Sequence, residues 1–227
     1  MKNKVIDLKQ KTKEIKKEIL KASFEAGACH LGSAMSCVEI LVDLYYNKFK
    51  KDDIFLFGKA SGVSALYAIL ADKGYFPKEK TAYYLKNYPL VSKEVPGIIY
   101  SFGSVGHCLP VAAGIALGNK KKVYCLISDG DLDEGSSYEA ALFIRQHKID
   151  NLYVICDNNG YQACGAINDI LNLETAFKFF QETIPHFNRV KTIKGKGISF
   201  MENDYTWHYR NLTSELLQQA LKELEKN

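Results

Sequence analysis

A chain of 227 residues, 47% apolar and 25% charged, has the composition of a globular domain, which excludes a disordered or collagen-like protein. Its longest apolar stretches, Val123 to Ser128 and Pro110 to Leu117, fall well short of the roughly 18 residues that span a bilayer. The lysine-rich start lacks the apolar core of a secretory signal, so a cytoplasmic protein with no membrane partner is expected. The net charge of +4 is local: residues 1 to 21 hold eight lysines against Asp7, Glu14 and Glu18, which leaves −1 for the remainder. No aromatic interleaving or nucleic-acid motif accompanies those lysines, and no nucleic-acid partner is expected. The six cysteines, at positions 29, 37, 108, 125, 156 and 164, have neither zinc nor redox CxxC spacing and read as reduced thiols.

In chain order, Val5, Leu8, Ile15 and Ile19 recur at helical spacing among the lysines, so residues 1–27 read as an amphipathic helix ending near Gly27. Ser36 and Glu39 have the spacing of a capping box opening a second helix that runs to Tyr46. Gly62 to Lys73 is a third helix, closed by Gly74 with Pro77 beyond. Pro89 and Pro96 break any period between Tyr83 and Ile99, which reads as loop. Gly103 to His107 is a glycine turn entering an apolar helix from Cys108 to Gly118. Lys122 to Ser128 and Asn151 to Asp157 read as strands flanking a helix from Ser136 to Ile149. Such a βαβ crossover is right-handed, which makes its strands parallel. A polar helix or loop to Asn188, a short strand from Arg189 to Ile193 and a helix from Thr213 to Lys226 complete the chain. The expected fold is α/β: one domain over residues 1–227, a doubly wound, mainly parallel sheet with helices on both faces. Ligands of such sheets bind outside the carboxyl ends of the strands.

The two central strands end in Ser128-Asp129-Gly130 and Asp157-Asn158-Asn159-Gly160. Acidic and amide oxygens at that edge form a sparse hard-oxygen site, of the kind Mg²⁺ accepts when substrate phosphates complete its octahedron. Gly130 removes a Cβ where phosphate would approach backbone N–H groups ahead of a helix. Zinc is excluded for want of clustered Cys and His. On residue types alone, Asp-Gly and Asn-Gly serve equally well as turn dipeptides with capping side chains.

Asp129-Gly130 followed thirty residues on by Asn159 resembles the Gly-Asp-Gly and Asn motif with which thiamine diphosphate enzymes hold Mg²⁺ and the diphosphate, with Ser128 for the first glycine. The resemblance extends over Gly27 to Leu44, Gly103 to Ala116, Val123 to Asp157, and Lys194-Gly-Lys-Gly-Ile-Ser-Phe-Met-Glu-Asn203 through Trp207-His208. Over these stretches the chain resembles the diphosphate-binding half of a transketolase, specifically the amino-terminal subunit of enzymes encoded as two chains. The resemblance implies thiamine diphosphate and Mg²⁺ (or Ca²⁺) as cofactors, with Asp129, the Asn159 side chain and the Tyr161 carbonyl on the metal. Gly130 and Asn159 would meet the diphosphate, and Gly103 and Val105 the aminopyrimidine. Glu134 matches an acid that links two cofactor sites. His30, His107 and His208 match polar positions around the reacting carbon, where groups titrating near neutrality can pass protons.

The implied activity moves a two-carbon unit from a ketose to an aldehyde or sugar acceptor, with a sugar or sugar phosphate as substrate. The glutamate that activates the aminopyrimidine belongs to the other half of a transketolase. The implied partner is therefore a pyrimidine-binding, carboxy-terminal transketolase-like subunit, in a heterotetramer. Ser61 and Tyr88 stand where that family carries histidines, Cys164 where it carries aspartate, Tyr209 where it carries glycine, and the segment between Asp169 and Lys194 is shortened. Metal and diphosphate positions are kept while sugar-contacting ones change, which implies an atypical sugar. The competing readings are a non-catalytic cofactor-binding or stabilising subunit, favoured by the missing histidines, and an unrelated nucleotide-binding domain, which would lack GxGxxG and GxxxxGK[ST] here.

Overall fold

The computed structural model describes residues 6–226. Four strands, β1 (Ile54–Phe57), β2 (Val123–Ser128), β3 (Leu152–Asn158) and β4 (Phe187–Lys191), form one parallel sheet in the order β1-β2-β3-β4. Nine α-helices surround it among the described residues: α1 (Leu8–Ala26), α2 (Leu31–Asp43), α3 (Val63–Asp72), α4 (Thr81–Asn87), α5 (Cys108–Leu117), α6 (Gly135–Gln146), α7 (Ile167–Ile170), α8 (Glu174–Thr183) and α9 (Ser214–Lys226). Helices α5, α6 and α8 lie side by side on one face, and α1 to α4 with α9 on the other. Covered on both sides, β2 and β3 are almost wholly buried, the condition under which a parallel sheet is stable. Because every pairing is parallel, all four strands end at the same edge.

Asp7 caps α1 by accepting the N–H groups of Lys9 and Gln10, and Gly27 ends it with a φ of 61° that L side chains rarely adopt. Ile15, Ile19 and Leu20 are buried; Val5 lies outside the described residues. The lysines of this helix are not simply a solvated face. Lys16 is buried, its Nζ 2.9 Å from both Glu39 Oε1 and the Lys196 carbonyl. Lys11 pairs with Asp72, and Lys17 with Glu225.

Three local expectations are corrected. Ser36 lies inside α2 rather than at its start: its buried hydroxyl donates to Asp157 Oδ2 at 2.7 Å and to the Ser33 carbonyl, while Glu39 serves Lys16. The Ser-x-x-Glu spacing thus arose from two tertiary contacts, and α2 begins after His30, whose φ is 67°. The stretch from Tyr83 contains the end of α4, which stops before Tyr88 because Pro89 disfavours helical geometry in the preceding residue. Strand β1 has no counterpart among the expected elements. Its four residues, Ile54-Phe-Leu-Phe57, alternate with no polar position and follow a charged loop, so their pairing with β2, with Leu56 opposite Cys125, is a tertiary outcome.

Candidate functional site

The turns that follow the four strands enclose a cavity of about 420 Å³. After β1 comes Gly58-Lys59, after β2 Asp129-Gly130, after β3 Tyr161-Gln162 and after β4 Lys194; His30 and His208 close the side away from the sheet.

Asp129 is 1% exposed. Its Oδ2 accepts the Gly160 N–H at 2.8 Å and the Asn158 amide at 3.3 Å. No lysine, arginine or histidine nitrogen of the described residues lies within 4 Å of this carboxylate. Burial pushes its pKa up to about 6 against the opposing charge of Lys59, as expected of a carboxylate removed from water without a direct ion pair. Asn159 is buried behind the cavity lining, its Oδ1 accepting the Tyr161 N–H at 3.0 Å and its amide donating to Ser36 Oγ at 3.5 Å. Tyr161 lines the cavity. One carboxylate, one amide and a backbone carbonyl are the hard-oxygen donors a Mg²⁺-sized ion uses when it keeps water or phosphate ligands. Among the described residues no cluster of three or more His, Cys, Asp or Glu could hold a metal instead. A buried carboxylate without a direct ion pair among oxygen donors, beside a glycine turn in the same cavity, fits a divalent cation bound with a diphosphate.

Several side chains that serve this site carry no signature in the sequence. Asp131 ties two loops together: it accepts from Ser128 N and Oγ at 2.7 and 2.6 Å and from Gly106 N at 2.7 Å. Ser128 therefore does more than stand in for a glycine, because its hydroxyl holds the acid that anchors the 103–106 loop. Lys59 and Asp157 form a fully buried ion pair at 2.6 Å. Asp157 also accepts from Ser36 and Thr192, which fixes α2 and the end of β4 to the end of β3. Removing one partner of such a pair costs about 3–5 kcal/mol, because the other charge stays buried. Lys194 is 1% exposed, with the Gln162 carbonyl at 2.9 Å. Burial, then Lys59, lowers its pKa to about 8. The one available signal for these residues was their position directly after strands, which single-residue propensities do not weigh.

The remaining expected site residues divide. Gly103, Val105, Gly130 and Glu134 line the cavity, as do His30 and His208. The two histidine rings meet edge to face with centroids 4.7 Å apart, and the His30 N–H donates to the His208 carbonyl at 3.0 Å. Burial and Lys194 hold the His208 imidazole down to about 3, and burial and Lys194 also lower His30; both are neutral at pH 7. His107 is exposed at the start of α5 and outside the lining of this cavity. The loop is pinned one residue earlier, at Gly106, and the inward side of the new helix is taken by Cys108 and Leu109. Tyr88 and Tyr209 do not line the cavity either; Leu90 does, and Tyr209 is 70% exposed against the His30 and His208 rings.

With its pKa near 8, Lys194 is cationic below pH 8 and neutral above it in the free protein. Diphosphate affinity is expected to be highest between about pH 6, below which Asp129 is protonated, and pH 8, and to fall by up to about tenfold per unit above pH 8; Lys194→Met should remove the fall above pH 8 at a lower affinity. Gly195, at φ 78°, supports the same lysine: a Cβ there would lie 2.2 Å from the Met201 carbonyl oxygen. Gly195→Ala is expected to lower stability by about 3 kcal/mol or more in urea unfolding, from strain and clash together.

A parallel α/β sheet with a cation and diphosphate cradle at its carboxyl edge defines a class of cofactor-binding domain. Within that class, residues 2–223 match the family model described as 1-deoxy-D-xylulose-5-phosphate synthase. The chain is 34% identical to one of the subunits of the apulose-4-phosphate transketolase of Actinobacillus succinogenes, over 96% of each protein. It is 31% identical to the 6-deoxy-6-sulfo-D-fructose transketolase subunit SqwG of a Clostridium species, over 100% of this chain and 99% of that one. The transketolase structure from Campylobacter jejuni superposes with a TM-score of 0.84 at 22% identity, over 98% of this chain and 43% of that one. The chain belongs to the transketolase family, as an amino-terminal subunit of the kind found in split enzymes. Membership implies thiamine diphosphate with a divalent cation.

Proposed function

We propose that this chain is the diphosphate-binding subunit of a split transketolase that moves a two-carbon unit from a ketose to an aldehyde or sugar acceptor. The observation that carries the reading is the buried Asp129 carboxylate, without a direct ion-pair partner among the described residues, in one cavity with Gly130 and Lys194. In the proposed site Asp129, Asn159 Oδ1 and the Tyr161 carbonyl hold Mg²⁺, while the backbone at Gly130 and the Lys194 ammonium hold the diphosphate. Gly103 and Val105 meet the aminopyrimidine, and Glu134 faces the neighbouring cofactor site. The bound cofactor supplies the carbon centre that takes up the two-carbon unit. His30 and His208, neutral at pH 7, are hydrogen-bond partners for the sugar hydroxyls, and their mutual contact fixes their orientation.

The whole of residues 1–227 acts as a single cofactor domain of a cytoplasmic heterotetramer; among the described residues no helix is long and apolar enough to cross a membrane. Assembly is supported by α5, Cys-Leu-Pro-Val-Ala-Ala-Gly-Ile-Ala-Leu, which is apolar all round, a composition suited to a helix covered on every side. Here its outer side, with Leu117, continues into exposed Leu142 and Phe143 of α6. Neighbouring subunits, the pyrimidine-binding partner among them, would cover this face. Co-purification with a pyrimidine-binding subunit, followed by ketol-transfer assays with D-xylulose 5-phosphate, apulose 4-phosphate and 6-deoxy-6-sulfo-D-fructose as candidate sugars, tests the reading. Assembly and cofactor binding without transfer from any sugar would favour the non-catalytic subunit instead.

A further inference from the structure

Among the lysines of α1, Lys16 is the buried one. Its Nζ leaves the helix for two acceptors, Glu39 Oε1 on α2 and the carbonyl oxygen of Lys196, each at 2.9 Å. The second acceptor lies in the turn that brings Lys194 to the cofactor cavity. Gly195 and Gly197, on either side of Lys196, have φ of 78° and 94°, and glycine gives a backbone its greatest rotational freedom. Two contacts hold this turn to the helices below it. The Gly195 N–H donates to the Gly32 carbonyl at the start of α2, at 2.9 Å, and the Lys196 carbonyl accepts from Lys16. The ammonium lies close under the turn, since a Cβ on Gly197 would stand 3.1 Å from Lys16 Nζ.

We infer that Lys16 is a positioning residue for diphosphate binding: through the Lys196 carbonyl it fixes the turn that presents the Lys194 ammonium to the cavity, an inference that rests on the diphosphate reading above. The cost of the arrangement is the first argument. Burying an ammonium is unfavourable, and an apolar side chain beside the buried Ile15, Ile19 and Leu20 would pack without that cost. Stability of α1 therefore does not account for the charge. Its direction is the second argument, because the backbone acceptor it reaches lies two positions beyond Lys194. The third is leverage. Lys194 extends from this turn to the Gln162 carbonyl, 2.9 Å from its Nζ, so a shift of the turn is carried to the ammonium. Glu39 adds to the hold: its Oε1 is 3.4 Å from Lys196 Nζ as well as 2.9 Å from Lys16, and it thereby engages the turn through a side chain and, by way of Lys16, through the backbone.

The test is a double-mutant cycle on the complex with its partner subunit, read as calorimetric affinity for thiamine diphosphate in the presence of Mg²⁺. Lys16→Met removes the ammonium at similar volume and is expected to weaken binding by about tenfold, the scale of one charge-assisted hydrogen bond. Lys16→Arg, which keeps charge and donors, should restore affinity to within about threefold of wild type. In a Lys194→Met background the same Lys16→Met change should cost less than about twofold, because the group it positions is gone. A merely structural Lys16 would weaken both backgrounds alike, and that result, or undiminished affinity in Lys16→Met alone, overturns the inference. Should Lys16→Met fail to fold, Glu39→Gln is read in the same two backgrounds, with about a threefold loss expected when Lys194 is present and none when it is absent; equal losses overturn the inference. Undiminished affinity in Lys194→Met alone would instead overturn the assignment of Lys194 to the diphosphate, on which the role of Lys16 rests.

Discussion

Asp129→Asn is expected to stabilise the cofactor-free chain while removing metal-dependent thiamine diphosphate binding. The stability effect follows from the direction of the pKa shift. Burial raises the folded-state value to about 6, above an unfolded value of about 3.9, so the folded chain binds the extra proton between those limits and loses stability as pH rises through them. Above pH 6 the full penalty applies, about 2–3 kcal/mol from the size of the shift. The asparagine keeps the shape and an oxygen for the Gly160 N–H, yet carries no charge. Its melting temperature should exceed that of wild type at pH 7 and converge with it near pH 4. The binding effect has the opposite sign. A hard divalent ion draws much of its affinity from carboxylate charge, and the assembled complex carrying Asp129→Asn should bind thiamine diphosphate with Mg²⁺ at least about a hundredfold more weakly. Undiminished calorimetric affinity in that variant would remove Asp129 from the metal site.

The second large effect is the dependence of activity on a partner. Purified alone, the chain is expected to show no ketol transfer above background, and activity should appear on titration with the pyrimidine-binding subunit. The resemblance implies that the glutamate activating the aminopyrimidine lies on that subunit, and loss of a positioned acid or base alone lowers rates by about 10²–10⁴. The surfaces involved can be separated from folding. Leu142 and Phe143 are exposed on α6, so aspartate at both positions should leave the melting temperature of the isolated chain within a few degrees of wild type while abolishing co-elution and transfer together. Full turnover by partner-free protein would exclude the split arrangement.

Much of this site was legible because its key residues sit in short, turn-linked motifs. Asp129-Gly130 and Asn159-Gly160 follow β-branched strands, and any parallel βαβ unit brings such strand ends together whatever surrounds them. The long helices announced themselves through period and caps, as with α1 between Asp7 and Gly27 and α3 before Gly74. Positions whose role depends on contacts across the fold were read wrongly or missed. Ser36 has the signature of a helix cap and is a buried donor to Asp157, and Asp131, which joins two loops of the site, carries no signature at all. Tyr88 stands where the resemblance expects a histidine, while Leu90 is the residue of this stretch that lines the cavity.

By itself, then, the sequence determined the fold class, the family and the strand-end edge where the candidate site lies, because these depend on local periodicity and on motifs whose members are brought together by strand direction alone. Only the tertiary structure decided that Lys59 and Asp157 neutralise each other inside the core, that Lys194 is a buried cation lining the cavity, and that Asp131 joins the two loops. Ion pairing, desolvation and empty volume are properties of atoms that meet from distant parts of the chain: Lys59 and Asp157 are 98 positions apart in sequence and 2.6 Å apart in space. No local pattern records such a meeting, since the free energy that enforces it comes from the packing of the whole sheet and its two helical layers.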